Sequence, residues 1–135
     1  MIKENDIPFV SLRSMNEVHF EEVLIINTLF EQLENKVSLE ILSQSLEKLL
    51  EHMQQHFSSE EKFMHETQYP SINMHKAEHG KVLNEARYIG LQWRNKKDEN
   101  IIREYLKSDL VPWLDQHIKA MDMPMADYVK QMIGE

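Results

Sequence analysis

The sequence predicts an all-α fold, an up-down-up-down four-helix bundle with an irregular N-terminal arm and a short C-terminal helix. Apolar residues recur at three- and four-residue steps through four long stretches, which is the period of an amphipathic helix. Short polar turns separate these stretches, so that neighbours in sequence are expected to be antiparallel neighbours in space. The low counts of three glycines and four prolines also favour helix over sheet. At 135 residues, the chain is expected to form one domain over 1–135.

Each element has its own sequence signal. Residues 1–13 form the arm, and helices are expected at about 14–35, 39–67, 72–95 and 99–121, with a terminal helix at about 125–133. A residue with a capping side chain precedes each long helix: Ser14 or Asn16, Ser38, Ser71 and Asp98. Tyr69-Pro70 is expected to stop the second helix, because the residue before proline is pushed out of the α region. Pro112 predicts a kink or break in the fourth helix, and Pro124 is expected to end it.

The composition excludes several classes of function. A net charge of −8 and a pI of about 5.4 leave no basic surface for nucleic acid or anionic lipid. The lack of cysteine excludes disulfides, thiolate metal sites and iron–sulfur clusters. The N-terminal segment has no signal-type apolar core, and the apolar runs are too short to span a membrane. A cytoplasmic location is therefore expected.

Five of the seven histidines combine with two carboxylates in a pattern typical of a dinuclear metal site. His56 and Glu60 are four residues apart, as are His75 and His79, and residues four apart project from one helix face. Imidazole nitrogen suits iron, zinc, copper or nickel, and carboxylates can bridge two ions. The candidate ligands come from all four long helices: His19, His56, Glu60, His75, His79, His117 and Asp122.

The predicted topology brings these residues to one end of the bundle. His19 lies early in the first helix and His56 late in the second, which runs the opposite way. The same alternation applies to His75 in the third helix and His117 in the fourth. Taken singly, each residue is explained as well by core packing, surface exposure or capping. Seven ligands at one height are not, because burying so many titratable groups without partners would be very costly.

The spacing of His117 and Asp122 is less regular. Five residues place them about 140° apart on an ideal α-helix. Both can face one site only if the helix is distorted or frayed there, and a π-type bulge is one such distortion.

Short motifs surround every candidate ligand and together span residues 19–122. They are His19 with Asn27 eight residues on, HFSSEEKFM at 56–64, YP at 69–70, HKAEH at 75–79 and WLDQHIKAMD at 113–122. In combination they resemble the hemerythrin family, and in particular the bacterial hemerythrins. The resemblance implies a non-haem di-iron protein that binds dioxygen inside a four-helix bundle, for O₂ carriage, storage or delivery.

The resemblance also implies roles for the ligands. His75, His79 and His117 would bind one iron, and His19 and His56 the other. The two carboxylates would bridge the ions together with an oxo or hydroxo group. The two-histidine iron would then keep an open position for O₂.

Residues around the ligands carry further expectations. Trp113 and Leu114 match family positions that wall the O₂ pocket, and Ile118 is expected to join them, although plain core packing explains all three equally well. Two residues depart from the family pattern, because Glu22 stands where an apolar residue is usual and His52 where tyrosine is common. We expect His52 to support the site from outside the ligand set. Such partners tune metal sites, so the departures leave solvent access and autoxidation open.

Two alternative functions share the same ligands. In an O₂- or redox-sensing module of a larger signalling protein, the state of the site would alter an output domain or a redox partner. A di-iron redox enzyme, such as an oxidase or peroxidase, would be favoured by a more open or polar pocket. Binding without turnover is the preferred hypothesis, with weak oxidase or peroxidase activity left open. An iron store is disfavoured, because seven ligands hold only two ions.

Overall fold

Four antiparallel helical stretches pack around one core in a computed structural model that describes residue 2 and residues 6–134. The first three are α1 (Arg13–Glu34), α2 (Leu39–Glu66) and α3 (Ile72–Lys96). Each of these helices packs on the next, and the fourth stretch contacts both α3 and α1, which closes the bundle. The predicted four-helix bundle is confirmed. That 1–135 forms one domain stays a prediction.

The fourth stretch is divided by two π-helical turns. In order, it comprises α4 (Glu99–Glu104), the first π turn (Tyr105–Leu110), α5 (Val111–His117), the second π turn (Ile118–Asp122) and α6 (Met123–Ile133). After each π turn a backbone N–H bonds to the carbonyl five residues back, from Val111 to Leu106 and from Met123 to Ile118. Five-residue bonds widen the helix locally.

The two prolines of this stretch differ in how far they act as the sequence predicted. Pro112 and Pro124 each lie at the second position of the α segment that follows a π turn. The expected stop at Pro124 is wrong, because α6 begins before it and runs through it. The interruption expected at Pro112 takes the form of the preceding π turn. In a regular α-helix the proline ring would clash with the carbonyl four residues back, and a wider turn relieves that clash.

The predicted caps are only partly present. The Ser38 hydroxyl accepts a hydrogen bond from the N–H of Ile41 at 3.2 Å. The Asp98 carboxylate accepts one from the N–H of Asn100 at 3.0 Å. Ser71 precedes α3 but makes no capping bond with its side chain to any described residue. A well-formed helix therefore does not require every cap that the sequence offers.

Two asparagines of α1 fasten the N-terminal arm. The Asn16 side chain accepts a hydrogen bond from the N–H of Val10 at 2.9 Å and donates one to its carbonyl at 2.8 Å. Asn27 makes the same pair of bonds with Ile2, at 2.9 and 2.7 Å. Asn16 is thus engaged with the arm and does not cap α1, which begins at Arg13. The arm is irregular, as predicted, yet several of its side chains are buried in the core: Ile7, Val10 and Leu12.

The core away from the histidines is closely packed. Trp93 of α3 is almost fully buried, and its Nε1 donates to the Ser43 hydroxyl of α2 at 2.8 Å. The same two helices approach closely at Gly90, where a Cβ would lie 3.2 Å from Leu50 Cδ1. No helix within residue 2 and residues 6–134 is long and apolar enough to cross a membrane.

Candidate metal centre

The structure brings all seven predicted ligand side chains together at one end of the bundle. They come from α1, α2, α3, α5 and the second π turn. Each is only 0 to 4% exposed: His19, His56, Glu60, His75, His79, His117 and Asp122. The common height that the topology predicted is therefore present. So is the π-type bulge between His117 and Asp122, because a π-helix closes its turn after five residues and turns both side chains to one side.

The donor atoms form two groups, and within each group all atoms lie within 4.8 Å of one another. The three-histidine group contains His75, His79 and His117, and the two-histidine group contains His19 and His56. Both groups include the same two carboxylates, Glu60 and Asp122. The three-histidine group thus offers five residues to a cation and the two-histidine group offers four.

Glu60 presents one carboxylate oxygen to each group. Its Oε2 lies 2.7 Å from His56 Nε2 and 3.6 Å from His19 Nε2. Its Oε1 lies 3.3 Å from His75 Nε2 and 3.1 Å from His79 Nε2. This is the arrangement of a carboxylate that can bridge two cations.

Asp122 is shared in the same way. Its Oδ2 lies 3.2 Å from His19 Nε2. Its Oδ1 lies 3.1 Å from the Nε2 atoms of both His75 and His117. The two carboxylates together therefore face all five imidazoles.

Most of these contacts lack the geometry of hydrogen bonds. Among the described residues, buried polar atoms without a hydrogen-bond partner concentrate here and include the Nε2 atoms of His19, His75, His79 and His117, Oε1 of Glu60 and both carboxylate oxygens of Asp122. Buried polar atoms are normally paired, and an unpaired one costs about 1–3 kcal/mol. Cations between the two sides would satisfy these atoms together. The donor set, imidazole nitrogen with shared carboxylate oxygen, suits a pair of transition-metal ions, iron among them.

Opposite charges control the ionisation of the cluster without metal. Burial lowers the pKa of His75, but contacts with Asp122 and Glu60 outweigh burial and raise it to about 9. Burial raises the pKa of Glu60, yet the surrounding histidines hold it well below its usual value. Burial and the nearby Glu60 charge raise the pKa of Asp122, but hydrogen bonds from His117, His19 and His75 outweigh them and lower it. Nearby histidines thus offset the cost of burying both carboxylates.

Two further carboxylates, which the sequence did not assign to the site, contact candidate ligand histidines at the ring nitrogen that faces away from the donor groups. Glu22 Oε1 lies 3.0 Å from His56 Nδ1, and Glu61 Oε2 lies 2.9 Å from His79 Nδ1. Glu22 was noted only as a departure from the family pattern. A signal for its role was available, because it lies three residues after His19 on the apolar stripe of α1 and is itself buried.

His52 lies outside both donor groups and contacts the two neighbouring glutamates of α1. Its Nδ1 is 3.2 Å from Glu22 Oε1, and its Nε2 is 3.2 Å from Glu21 Oε2. The His52 side chain is 16% exposed and that of Glu21 is 64% exposed. A chain of polar contacts therefore runs from solvent to His56. That His52 supports the site rather than binding metal stays a prediction.

The three predicted pocket-wall residues do not line one common cavity. The Trp113 ring stacks on His117 with centroids 4.4 Å apart, and its Nε1 donates to Glu78 at 2.8 Å. Leu114 and Ile118 are buried and, with the N-terminal arm, line a cavity of about 260 Å³. Their role in an O₂ pocket stays a prediction.

A smaller cavity reaches the candidate ligands directly. It lies between α1 and α2 and has a volume of about 100 Å³. Its walls include Met15, Val18 and Phe63 together with His56 and Glu60 of the two-histidine group. A small diatomic molecule would thus have space next to the group with fewer donors.

Comparison with known proteins agrees with this geometry. Residues 11–129 match the family model described as the hemerythrin HHE cation binding domain. A bacteriohemerythrin of Aquifex aeolicus (strain VF5) is 31% identical over 135 residues, which is 100% of this chain and 99% of the relative. A bacteriohemerythrin of Ralstonia nicotianae (strain ATCC BAA-1114 / GMI1000) is 26% identical over 87 residues, covering 64% of this chain and 62% of the relative. The chain belongs to the hemerythrin family.

Proposed function

We propose that this chain is a non-haem di-iron protein that binds dioxygen reversibly at the buried centre, for O₂ carriage, storage or delivery. One observation carries the proposal. Two groups of buried donors share Glu60 and Asp122, and most of their donor atoms have no hydrogen-bond partner among the described residues. Family membership supports iron as the metal and O₂ as the ligand.

In this proposal the ligands divide as the two groups do. His75, His79 and His117 would hold one iron, and His19 and His56 would hold the other. Glu60 and Asp122, which belong to both groups, would contribute to both sites. Because the two-histidine group has one donor fewer, we expect O₂ to bind there. A bound iron pair would supply the redox-active Lewis acid that O₂ requires.

The chain's own residues favour binding over further reaction. Phe57 stacks on His79 with ring centroids 4.1 Å apart, and Trp113 covers His117, so that aromatic rings lie over the three-histidine group. Beside the two-histidine group the cavity is walled by Met15, Val18 and Phe63, and such apolar walls limit the access of water and protons. A ligand set dominated by neutral nitrogen also stabilises the oxidised state less than a set rich in carboxylates would.

A redox-linked role, as a sensor or a weak oxidase, is the second candidate. The observation that favours it is the line of polar contacts from Glu21 through His52 and Glu22 to His56. Such a line joins solvent to the two-histidine group, where electrons or protons would enter. Sustained consumption of O₂ in the presence of a reductant would identify an enzyme. A response to O₂ that needs a further domain would identify a sensor.

A metal count on purified protein tests the proposal, combined with visible spectra of the reduced form before and after exposure to air. We expect two irons per chain and an oxygenated band that decays slowly and is lost on removal of O₂. Two irons that oxidise at once, without such a band, would favour the second candidate. Fewer than two bound ions in every preparation would overturn the di-iron proposal.

A further inference from the structure

Glu22 is a carboxylate in an unexpected place. It lies in the middle of α1 and is 0% exposed, although the apolar stripe of that helix would accommodate a leucine or valine. Burying a carboxylate is costly unless it is paired and hydrogen-bonded. A buried carboxylate must therefore be stabilised by specific partners, and the identity of those partners indicates its role.

Both partners of Glu22 are histidines of α2, one turn apart. Oε1 lies 3.0 Å from Nδ1 of His56 and 3.2 Å from Nδ1 of His52. Its second oxygen, Oε2, is buried with no hydrogen-bond partner among the described residues. Both ring nitrogens lie within hydrogen-bond distance of the same oxygen, Oε1, so a carboxylate at this position can accept a hydrogen bond from each ring.

The bond to Glu22 fixes the orientation of His56. An Nδ1–H that donates to Glu22 leaves Nε2 as the free nitrogen, and this Nε2 lies 2.7 Å from the shared carboxylate Glu60. A carboxylate behind a metal-ligating imidazole sets its tautomer and raises its basicity. We propose that Glu22 is a positioning residue for the two-histidine iron, and that His52 holds Glu22 in place. This inference rests on the proposed di-iron function.

The other imidazoles show that this support is selective. Of the described ligands, only His79 has a comparable partner, Glu61, and that side chain is 30% exposed. The Nδ1 atoms of His19 and His117 are buried and have no hydrogen-bond partner in the described part of the chain. Each group thus contains one histidine backed by a carboxylate. The backing is fully buried only in the group with fewer donors.

Two effects are expected from such a residue. It orders His56 before metal binds. Its removal should therefore weaken metal binding at the two-histidine group, which we call the second ion, more than at the three-histidine group, the first ion. It also places negative charge next to one ion, which stabilises the oxidised state and lowers the midpoint potential. A residue that served packing alone would change neither the potential nor the order in which ions bind.

The test compares substitutions of Glu22 and Glu61 in the full chain. Glu22→Leu removes the hydrogen bond and the charge, Glu22→Gln keeps an acceptor for His56 without the charge, and Glu61→Gln is the matched control on the other group. Ferrous iron and cobalt(II), each alone under anaerobic conditions, are titrated into metal-free protein. Melting of the metal-free variants and the midpoint potential of the iron-loaded protein are measured in parallel.

We expect Glu22→Leu to weaken the second ion by about 10- to 100-fold while the first binds normally. Glu22→Gln should keep most of that affinity but raise the midpoint potential, and Glu61→Gln should change both less. Unchanged second-ion affinity in Glu22→Leu, or an unchanged potential in Glu22→Gln, would overturn the inference. If Glu22→Leu does not fold, the midpoint potential of iron-loaded Glu22→Gln alone decides whether the inference stands. A wild-type chain that binds fewer than two ions would instead overturn the di-iron proposal itself.

Discussion

The two donor groups share their carboxylates but differ in how their histidines are held. The two-histidine group is backed by Glu22, which is fully buried and also contacts a second histidine, His52. The three-histidine group is backed by Glu61, whose side chain is 30% exposed and lies 2.9 Å from Nδ1 of His79. The group with fewer donors has the more deeply buried support. Where fewer side chains would hold a cation, the orientation of each one matters more.

The largest effect is expected from removing a residue that both groups use. Glu60→Ala takes one oxygen from each group, so that iron content should fall to one ion or none per chain. Loss of a ligand should exceed the roughly 10- to 100-fold cost of losing an outer partner. If the protein works at about 100 times the dissociation constant, about 2.7 kcal/mol of metal-linked stability is then lost. Iron analysis and melting with and without iron measure both effects.

The control for this variant is another glutamate of the same helix. Glu66 is exposed and pairs only at 4.0 Å with Lys62, so Glu66→Ala should leave iron content and melting unchanged. Two tightly bound irons in Glu60→Ala, with normal O₂ binding, would refute the bridging role.

The next effect separates the two groups. His56→Ala leaves one histidine in its group and should reduce the protein to one iron, held by the three-histidine group. His117→Ala leaves two histidines in its group, so its iron should be weakened but still measurable at high iron concentration. Anaerobic titration with ferrous iron gives both affinities. Equal losses of iron affinity in the two variants would contradict the prediction, because they would show that the two groups do not bind iron independently.

A smaller effect, which differs between the metal-free and the iron-loaded protein, is expected from pH. In metal-free protein the pKa values of His19, His56 and His75 are raised above 6.5. Their stabilisation is complete below that value and is lost as pH rises through the folded pKa, which is about 9 for His75. The lowered pKa values of Glu60 and Glu22 stabilise above about 4.5 and are lost as pH falls. The free energy of unfolding of the metal-free protein should therefore be greatest between these limits.

Iron-loaded protein should keep its stability above neutrality. Its ligands must be deprotonated to bind, so metal affinity rises with pH and offsets the loss of stability seen in the metal-free protein. Denaturant unfolding of both forms, in buffers from mildly acidic to mildly alkaline, measures the two slopes. Parallel slopes would mean that the metal does not replace protons at these histidines.

The smallest effect is expected at His52. His52→Ala should keep both irons, because the ring lies outside both donor groups, and should change the rate of autoxidation through Glu22. Iron analysis and the decay of the oxygenated band in air test this together. Loss of an iron would make His52 a ligand and would remove the distinction between the two groups drawn above.

Helical periodicity was sufficient to predict the bundle and the convergence of the candidate ligands at one end, whereas their division into two groups came from the family resemblance. Residues four apart share a face, and alternating helix direction sets their height, so the common height of His56, Glu60, His75 and His79 follows from spacing. The five-residue step to Asp122 required a π turn, and the sequence signalled it because both ends carried metal-binding side chains. No such pair marks the first π turn, Tyr105–Leu110, and Pro112 predicted only a kink or break near it, not a π turn.

The supporting carboxylates could not be predicted in the same way. Glutamates on an amphipathic helix usually face solvent, and nothing local distinguishes Glu61, whose partner lies on another helix. Glu22 differs because it interrupts an apolar stripe, yet its contact with His52 depends on how α1 and α2 are rotated against each other. The predicted helix stop at Pro124 was wrong for a related reason. The space for the proline ring is provided by the second π turn, which precedes it.

The arm fastened by Asn16 and Asn27 has a practical consequence for handling this protein. Its residues form the outer wall of the cavity whose inner wall is Leu114 and Ile118, one residue on from His117. An affinity tag, a fusion or a trimmed end on that side would therefore alter the wall itself and uncover the helix that carries a candidate ligand. Labels are better placed beyond α6, and loss of either asparagine should be judged by oxygen-band lifetime as well as by yield.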